Sequence, residues 1–196
     1  MIVNAPLQLA EIFYSVQGEG TFTGTPAVFV RLAGCNLSCA FCDTDYSVKF
    51  FASSGEVVET VRRIGGECPM VVLTGGEPLV QRSALELIGG LRAARRRVHI
   101  ESNGTVAVAL PDDVWLTVSP KERLSDSMAA RANEAKLIVD GRVPYEWVAR
   151  FPENVPVFLQ PEGNKPANVT LAYDAVKAHP QRMRLSLQTH KFIGVP

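Results

Sequence analysis

Met70-Val71-Val72-Leu73-Thr74-Gly75-Gly76-Glu77-Pro78 is an apolar run of strand type that stops abruptly in a glycine-bearing polar turn. A short unbroken apolar run of this kind suits a strand covered on both faces, as in a parallel sheet. Helix signals lie on either side. Upstream, Ser53-x-x-Glu56 is a capping box opening a helix with apolar Val57, Val58, Val61 and Ile64, closed by Gly65-Gly66. Downstream, Ser83-x-x-Glu86 reads as a second box, with Leu85, Leu87, Ile88 and Leu91 turned inward. Helix, strand, polar turn, helix is the grammar of a parallel α/β fold.

The same unit recurs in both directions. Residues 9–20 begin with a short strand-like piece and end in the turn Gln17-Gly18-Glu19-Gly20, and Ala27 to Ala33 is a second apolar strand interrupted by Arg31. Beyond the first helix pair, strand 98–102 runs into Glu101-Ser102-Asn103-Gly104, and strand 114–118 into Ser119-Pro120-Lys121. Strand 135–139 precedes a helix near 144–150, and strand 156–160 ends in Gln160-Pro161-Glu162-Gly163-Asn164 before a helix over roughly 168–178. A last strand, 183–188, leads to Gln188-Thr189-His190-Lys191. Parallel strands place their carboxyl ends on one rim, and ligands bind there. Polar clusters scattered along the chain can therefore meet in one site. The expected architecture is a partial (β/α)6-type barrel of mostly parallel strands with an extra C-terminal strand. Stretches 103–113 and 120–134 are too short or irregular for good helices, so the helical layer is thinned.

Cys35, Cys39 and Cys42 crowd one short loop. Three thiols so close cannot each be buried separately, and their lone pairs favour a metal. Structural zinc wants a fourth Cys or His nearby, whereas Cys68, His99, His179 and His190 are distant in sequence. A 4Fe-4S cluster suits three thiolates better, leaving one iron open to a ligand. Arg31 in its apolar strand either escapes at an edge or meets an anion in a cavity. Cys68 reads as structural.

Charge narrows the partners. Lys plus Arg and Asp plus Glu are both 20, which calls for neither nucleic acid nor an anionic membrane. Arg92, Arg95, Arg96 and Arg97 form the one basic cluster, at the end of a predicted helix, and read as a solvated face. No apolar run reaches the ~20 residues that span a bilayer. The start lacks the pattern of a signal peptide, and four thiols outside any disulfide frame suit a reducing cytoplasm. No linker divides the 196 residues, so a single domain over 1–196 is expected.

The C-x3-C-x2-C spacing, with Phe41 before the third Cys, resembles the signature of radical S-adenosylmethionine enzymes. The wider set narrows this. Ile12 to Gly20, Val30 to Leu37, Cys42-Asp43-Thr44, Thr74 to Pro78, Glu101 to Thr105, Ser119-Pro120-Lys121 and Gln160-Pro161 together resemble the 7-carboxy-7-deazaguanine synthase family. That resemblance implies conversion of 6-carboxy-5,6,7,8-tetrahydropterin to 7-carboxy-7-deazaguanine with loss of ammonia, in 7-deazapurine (queuosine) biosynthesis. It implies a 5′-deoxyadenosyl radical that takes hydrogen from C6 of the pterin. It also implies a homodimer that needs Mg2+, with a flavodoxin or ferredoxin as reductant.

By the same resemblance, Cys35, Cys39 and Cys42 hold the cluster. Phe41, Cys42 and Asp43, Gly76 and Glu77, Ser119, Pro120 and Lys121, and Gln160, Pro161, Glu162 and Gly163 contact S-adenosylmethionine. Thr44 is the Mg2+ ligand, a hard oxygen for a hard cation. Val16, Gln17, Gly18, Arg31, Thr74, Glu101, His190 and Pro196 face the pterin, Arg31 tipping toward the cavity because the substrate bears a carboxylate. Two rivals share the cysteine motif: an activating enzyme that abstracts hydrogen from a glycine of a partner protein, and a non-catalytic metal-binding module.

Overall fold

The computed structural model describes residues 5–196. In chain order its elements are β1 (Leu7–Val16), β2 (Pro26–Leu32), β3 (Phe50–Ala52), α1 (Ser54–Gly65), β4 (Met70–Gly75), α2 (Ala84–Ala93), β5 (Arg97–Ser102), β6 (Trp115–Val118), α3 (Asp126–Arg131), β7 (Glu134–Val139), α4 (Tyr145–Val148), β8 (Val157–Pro161), α5 (Pro166–Ala178), β9 (Met183–Leu185) and α6 (Thr189–Ile193). They fall into two compact units that interleave along the chain. The first takes residues 5–16, Pro26–Ser102 and Val108–Trp115; the second takes Gln17–Thr25, Asn103–Ala107 and Leu116–Pro196.

In the first unit the strands lie in the order β3-β1-β2-β4-β5. β2, β4 and β5 are parallel, so Leu32, Gly75 and Ser102 all end at the same edge. β4 is an unbroken buried run from Met70 to Leu73, as its composition requires. The Ser53 box forms as read: its hydroxyl accepts from Glu56 N, and the Glu56 carboxylate accepts from Ser53 N. α1 then buries Val57 and Val61 against β1 and β2, while α2 packs on β5. β1 runs antiparallel to β2 and to the edge strand β3.

In the second unit β6-β7-β8-β9 are parallel throughout. α5 opens on Pro166, whose missing N–H costs nothing at the first helical position, and it covers β7, β8 and β9. Leu116, Val118, Met128, Leu137 and Leu159 form the core.

Several local readings need correction. Ser83 makes no box: its backbone is already helical, and its hydroxyl donates instead to Ala5 O at 2.6 Å. Leu85 is 45% exposed, because α2 buries the Ala84, Leu87, Ile88, Leu91 stripe and Leu85 falls one residue off it. β9 stops at Leu185, and the chain turns into α6 instead of continuing as a strand to 188. The thin helical layer is as expected, since α4 is one turn, α3 is six residues and 103–113 contains no helix.

Candidate active site

In the first unit the site residues collect where β2, β4 and β5 end. The cysteine loop leaves β2 at Gly34, whose N–H donates to Tyr46 O at 2.9 Å and so closes the base of the loop. No disulfide joins Cys35, Cys39 or Cys42; the first two are partly exposed and the third is exposed. All three act on one hydroxyl: Tyr46 is pushed above its ordinary value by Cys42 foremost, then by burial, then by Cys35 and Cys39. Among the described residues no three His, Cys, Asp or Glu side chains converge on a single ion. A 4Fe-4S cubane takes one thiolate on each of three irons, and three soft donors on one loop fit it.

The Gly-Gly-Glu-Pro turn is seated directly on the start of that loop. A Cβ at Gly76 would meet Gly34 O at 2.3 Å and Cys35 Cβ at 2.6 Å, so only glycine allows the approach. Glu77 N donates to Gly34 O at 3.0 Å. The Glu77 carboxylate is fully buried and accepts from Leu79 N at 3.0 Å and from Ser102 Oγ at 3.0 and 3.1 Å, capping the 3-10 turn Pro78–Val80 and tying it to the end of β5. Its side chain therefore shapes the turn.

Arg31 and Thr74 sit opposite one another on neighbouring parallel strands. A register shift between Leu9 and Glu11 in β1 brings Glu11 opposite Arg31, and Arg31 Nε donates to Glu11 Oε1 at 2.6 Å. The guanidinium also lies 6.0 Å from the centre of the Phe13 ring, itself stacked on Phe29. Glu101 lies on β5 two residues after His99, with 3.5 Å between Glu101 Oε1 and His99 Nε2. Val16 closes β1 opposite Pro26, and Phe41, Asp43 and Thr44 follow along the cysteine loop, Asp43 exposed and the other two half-buried.

The second unit builds a different cluster. Gln17 and Gly18 are buried, and Gln17 is held by N–H donation to Thr25 O at 2.8 Å. Thr189 N donates to Gly18 O at 3.0 Å, and a Cβ at Gly18 would fall 2.1 Å from His190 Nδ1. The sequence candidates Gln17, Gly18 and His190 are thus brought together. Ser119 Oγ donates to Lys136 O at 2.7 Å, and Lys121 Nζ donates back to Ser119 Oγ at 2.5 Å. Gln160 and Pro161 are buried at the end of β8, whereas Glu162 pairs with Lys165 and Gly163 adopts a left-handed φ of 57°. Pro196 is exposed beyond α6.

Sequence reasoning missed the centre of this cluster. Glu19 Oε2 accepts from Lys136 Nζ at 2.5 Å, and Glu19 Oε1 accepts from Gln160 Nε2 at 3.0 Å and Gln188 Nε2 at 3.2 Å. Burial, the largest single influence, would raise the Glu19 carboxyl, but the Lys136 ammonium, His190 and the Gln188 amide together outweigh it, and the group lies below its ordinary value. Nearby, Glu134 accepts from Thr117 Oγ1 and from Thr21 N, and Ser186 Oγ accepts from Gly20 N. One signal was present in the sequence: Lys136 interrupts an apolar strand in the same way that Arg31 does.

Comparison with known proteins places this geometry. Residues 29–116 match the model of the Radical SAM superfamily. A 7-carboxy-7-deazaguanine synthase of Bacteroides thetaiotaomicron is 40% identical over 189 residues, covering 96% of this chain and 98% of that protein. The chain belongs to the 7-carboxy-7-deazaguanine synthase family. The crystal structure of QueE from Escherichia coli superposes with a TM-score of 0.82 at 32% identity, over 95% of this chain and 94% of that one. Streptococcus suis SuiB, solved bound to S-adenosylmethionine, shares the fold alone, with a TM-score of 0.58 at 11% identity over 78% of this chain and 48% of its own. The fold expected from the sequence, mostly parallel strands of the partial-barrel class with few helices, is the one shared with these structures. As a 7-carboxy-7-deazaguanine synthase family member, the protein is a radical S-adenosylmethionine enzyme that works with an iron-sulfur cluster.

Proposed function

We propose that this enzyme converts 6-carboxy-5,6,7,8-tetrahydropterin to 7-carboxy-7-deazaguanine with release of ammonia. Beside the family membership, one observation carries the reading: Gly76 gives up its side chain so that the Thr74–Pro78 turn rests on Gly34 and Cys35. That packing fixes the turn relative to the thiols, which is what a reaction at contact distance requires. When bound, the cluster at Cys35, Cys39 and Cys42 supplies the electron that cleaves the S-adenosylmethionine sulfonium.

The remaining residues bind, orient and exclude water. Gly76 and Glu77 present the turn backbone to the methionine amino group, and Phe41, Cys42 and Asp43 flank the adenosyl group. Ser119, Pro120 and Lys121 and the 160–163 segment complete the cofactor's contacts. Gln17, Gly18 and His190, held together by the Thr189–Gly18 hydrogen bond, take the substrate with Val16, Thr74, Glu101 and Pro196. Arg31 offers a cation to the substrate carboxylate, with Glu11 as its resting partner. Thr44 contributes a hydroxyl to Mg2+, whose octahedron tolerates few protein ligands. A single catalytic domain over 1–196, a homodimer, a flavodoxin or ferredoxin donor and a cytoplasmic setting belong to the same reading. The cytoplasmic setting is supported by four cysteines that form no disulfide.

The test is anaerobic reconstitution followed by mass spectrometry with carboxytetrahydropterin, S-adenosylmethionine and a reductant. The 7-deazapurine acid and ammonia should appear together. A fully loaded cluster that leaves the pterin intact would rule the assignment out.

A further inference from the structure

We infer that Glu19 is a positioning residue that sets the amide of Gln160, on the S-adenosylmethionine side, and the segment bearing His190, on the pterin side, in one common frame. The inference rests on the roles proposed above for Gln160 and His190. Its basis is the connectivity around a single carboxylate. One oxygen takes the Lys136 ammonium at 2.5 Å, and the other takes the side-chain amides of Gln160 and Gln188 at 3.0 and 3.2 Å. Gln188 is the residue from which α6 starts, two positions before His190. Gln160 is then fixed from its other end too, because Ser186 Oγ donates to Gln160 Oε1 at 3.4 Å while accepting from Gly20 N at 3.0 Å. An amide bound at both its nitrogen and its oxygen cannot flip.

The side chains involved are nearly withdrawn from water, with 14% exposure at Glu19 and 9% at Lys136. A lysine in the middle of a buried parallel strand is costly, and a buried ion pair is a poor way to gain stability, since a well-packed apolar pair does as well. An apolar pair cannot accept hydrogen bonds from two amides. The arrangement is therefore explained by what the carboxylate orients, with Lys136 keeping it ionised beneath the two amides. Gly18 lets the backbone lie flush on the His190 ring and Gly20 N donates to Ser186 Oγ, which ties the same three-residue turn to both segments.

Glu19→Gln should keep the cluster absorption after reconstitution, because Cys35, Cys39 and Cys42 belong to the other compact unit. It should raise the KM for S-adenosylmethionine and for the pterin together, each on the order of tenfold, with a smaller change in kcat. Glu19→Asp restores a negative charge for Lys136 but falls short of the amides, so it should recover much of the Tm without recovering either KM. Recovery of both by Asp, or unchanged KM values in Gln, would show that the pair serves only the fold and would overturn the inference. Gln188→Met leaves the ion pair and Gln160 intact and should raise the pterin KM alone. It decides the matter if Glu19→Gln does not fold, and wild-type kinetics in it would count against the idea. If the wild-type enzyme made no 7-deazapurine, the function reading would fall. Equilibrium dialysis of S-adenosylmethionine with wild type and Glu19→Gln would still decide the Gln160 half, a tenfold weaker Kd supporting it and an equal Kd rejecting it.

Discussion

At the scale of the residue, Gly76 and the three thiols carry the sharpest consequences. A methyl at position 76 would have to displace main chain at Gly34, which cannot rotate out of the way. Gly76→Ala should therefore leave a folded protein whose S-adenosylmethionine affinity is reduced tenfold or more, measured by equilibrium dialysis on the reconstituted enzyme. Replacing Cys35, Cys39 or Cys42 by Ala should abolish the charge-transfer absorption of the cluster, since one iron then lacks its thiolate. Cys68→Ala should retain it. Cys68 is buried in the first unit and its thiol donates to Pro26 O at 3.3 Å and Met70 O at 3.5 Å, so it acts as a small packing residue with a weak donor. Retention of the absorption in a triple thiol variant would refute the cluster assignment. Thr44→Val should raise the Mg2+ concentration needed for turnover while leaving S-adenosylmethionine binding nearly intact. Metal titration of steady-state rates reads this directly, and an unchanged dependence would remove Thr44 from the metal.

At the scale of the element, α1 shows what local sequence decides without help. Both halves of its capping box form, so Ser53→Ala should lower Tm by about 2–4 °C without touching KM, checked by thermal denaturation and steady-state kinetics. Where a signal was purely local, as at Ser53 or in the apolar run of β4, it could be read from the chain. Ser83 carries the same local pattern and fails because a distant carbonyl, Ala5 O, competes for its hydroxyl. β3 is three residues whose strand character comes from pairing with Leu7 to Leu9, a partner no window around residue 50 contains. Glu19 was invisible for a related reason. Its meaning depends on Lys136, Gln160 and Gln188, all more than a hundred positions away, and a carboxylate between two glycines announces only a turn. The cysteine loop and the Gly-Gly-Glu-Pro turn were legible because each is a local cluster of chemically specific residues, whereas the packing of Gly18 on His190 joins distant parts of the chain and was not.

At the scale of the whole molecule, the depressed Glu19 carboxyl links stability to pH. A group held below its unfolded value, about 4.3 for Glu, contributes its stabilisation fully above that value and loses it as pH falls through the lower folded one. Wild type should therefore exceed Glu19→Gln in Tm at pH 7, and the gap should close below about pH 4. A gap that persisted in acid would place the effect in packing. The interleaving of the two units has a consequence in the order of synthesis. The first unit has all its strands once residue 115 has left the ribosome, yet residues 17–25, made near the beginning, belong to the second. The groups that hold them, Glu134, Lys136, Gln160 and Ser186, are translated more than a hundred residues later. For most of translation the Gln17–Gly20 turn is consequently a looped-out passenger on a nascent domain, open to proteases and to chaperones, and it gains its protection only when β7 to β9 arrive. Pulse proteolysis of stalled chains, extended by a C-terminal linker long enough to fill the exit tunnel, should cut within 17–25 until Ser186 has emerged, and not after.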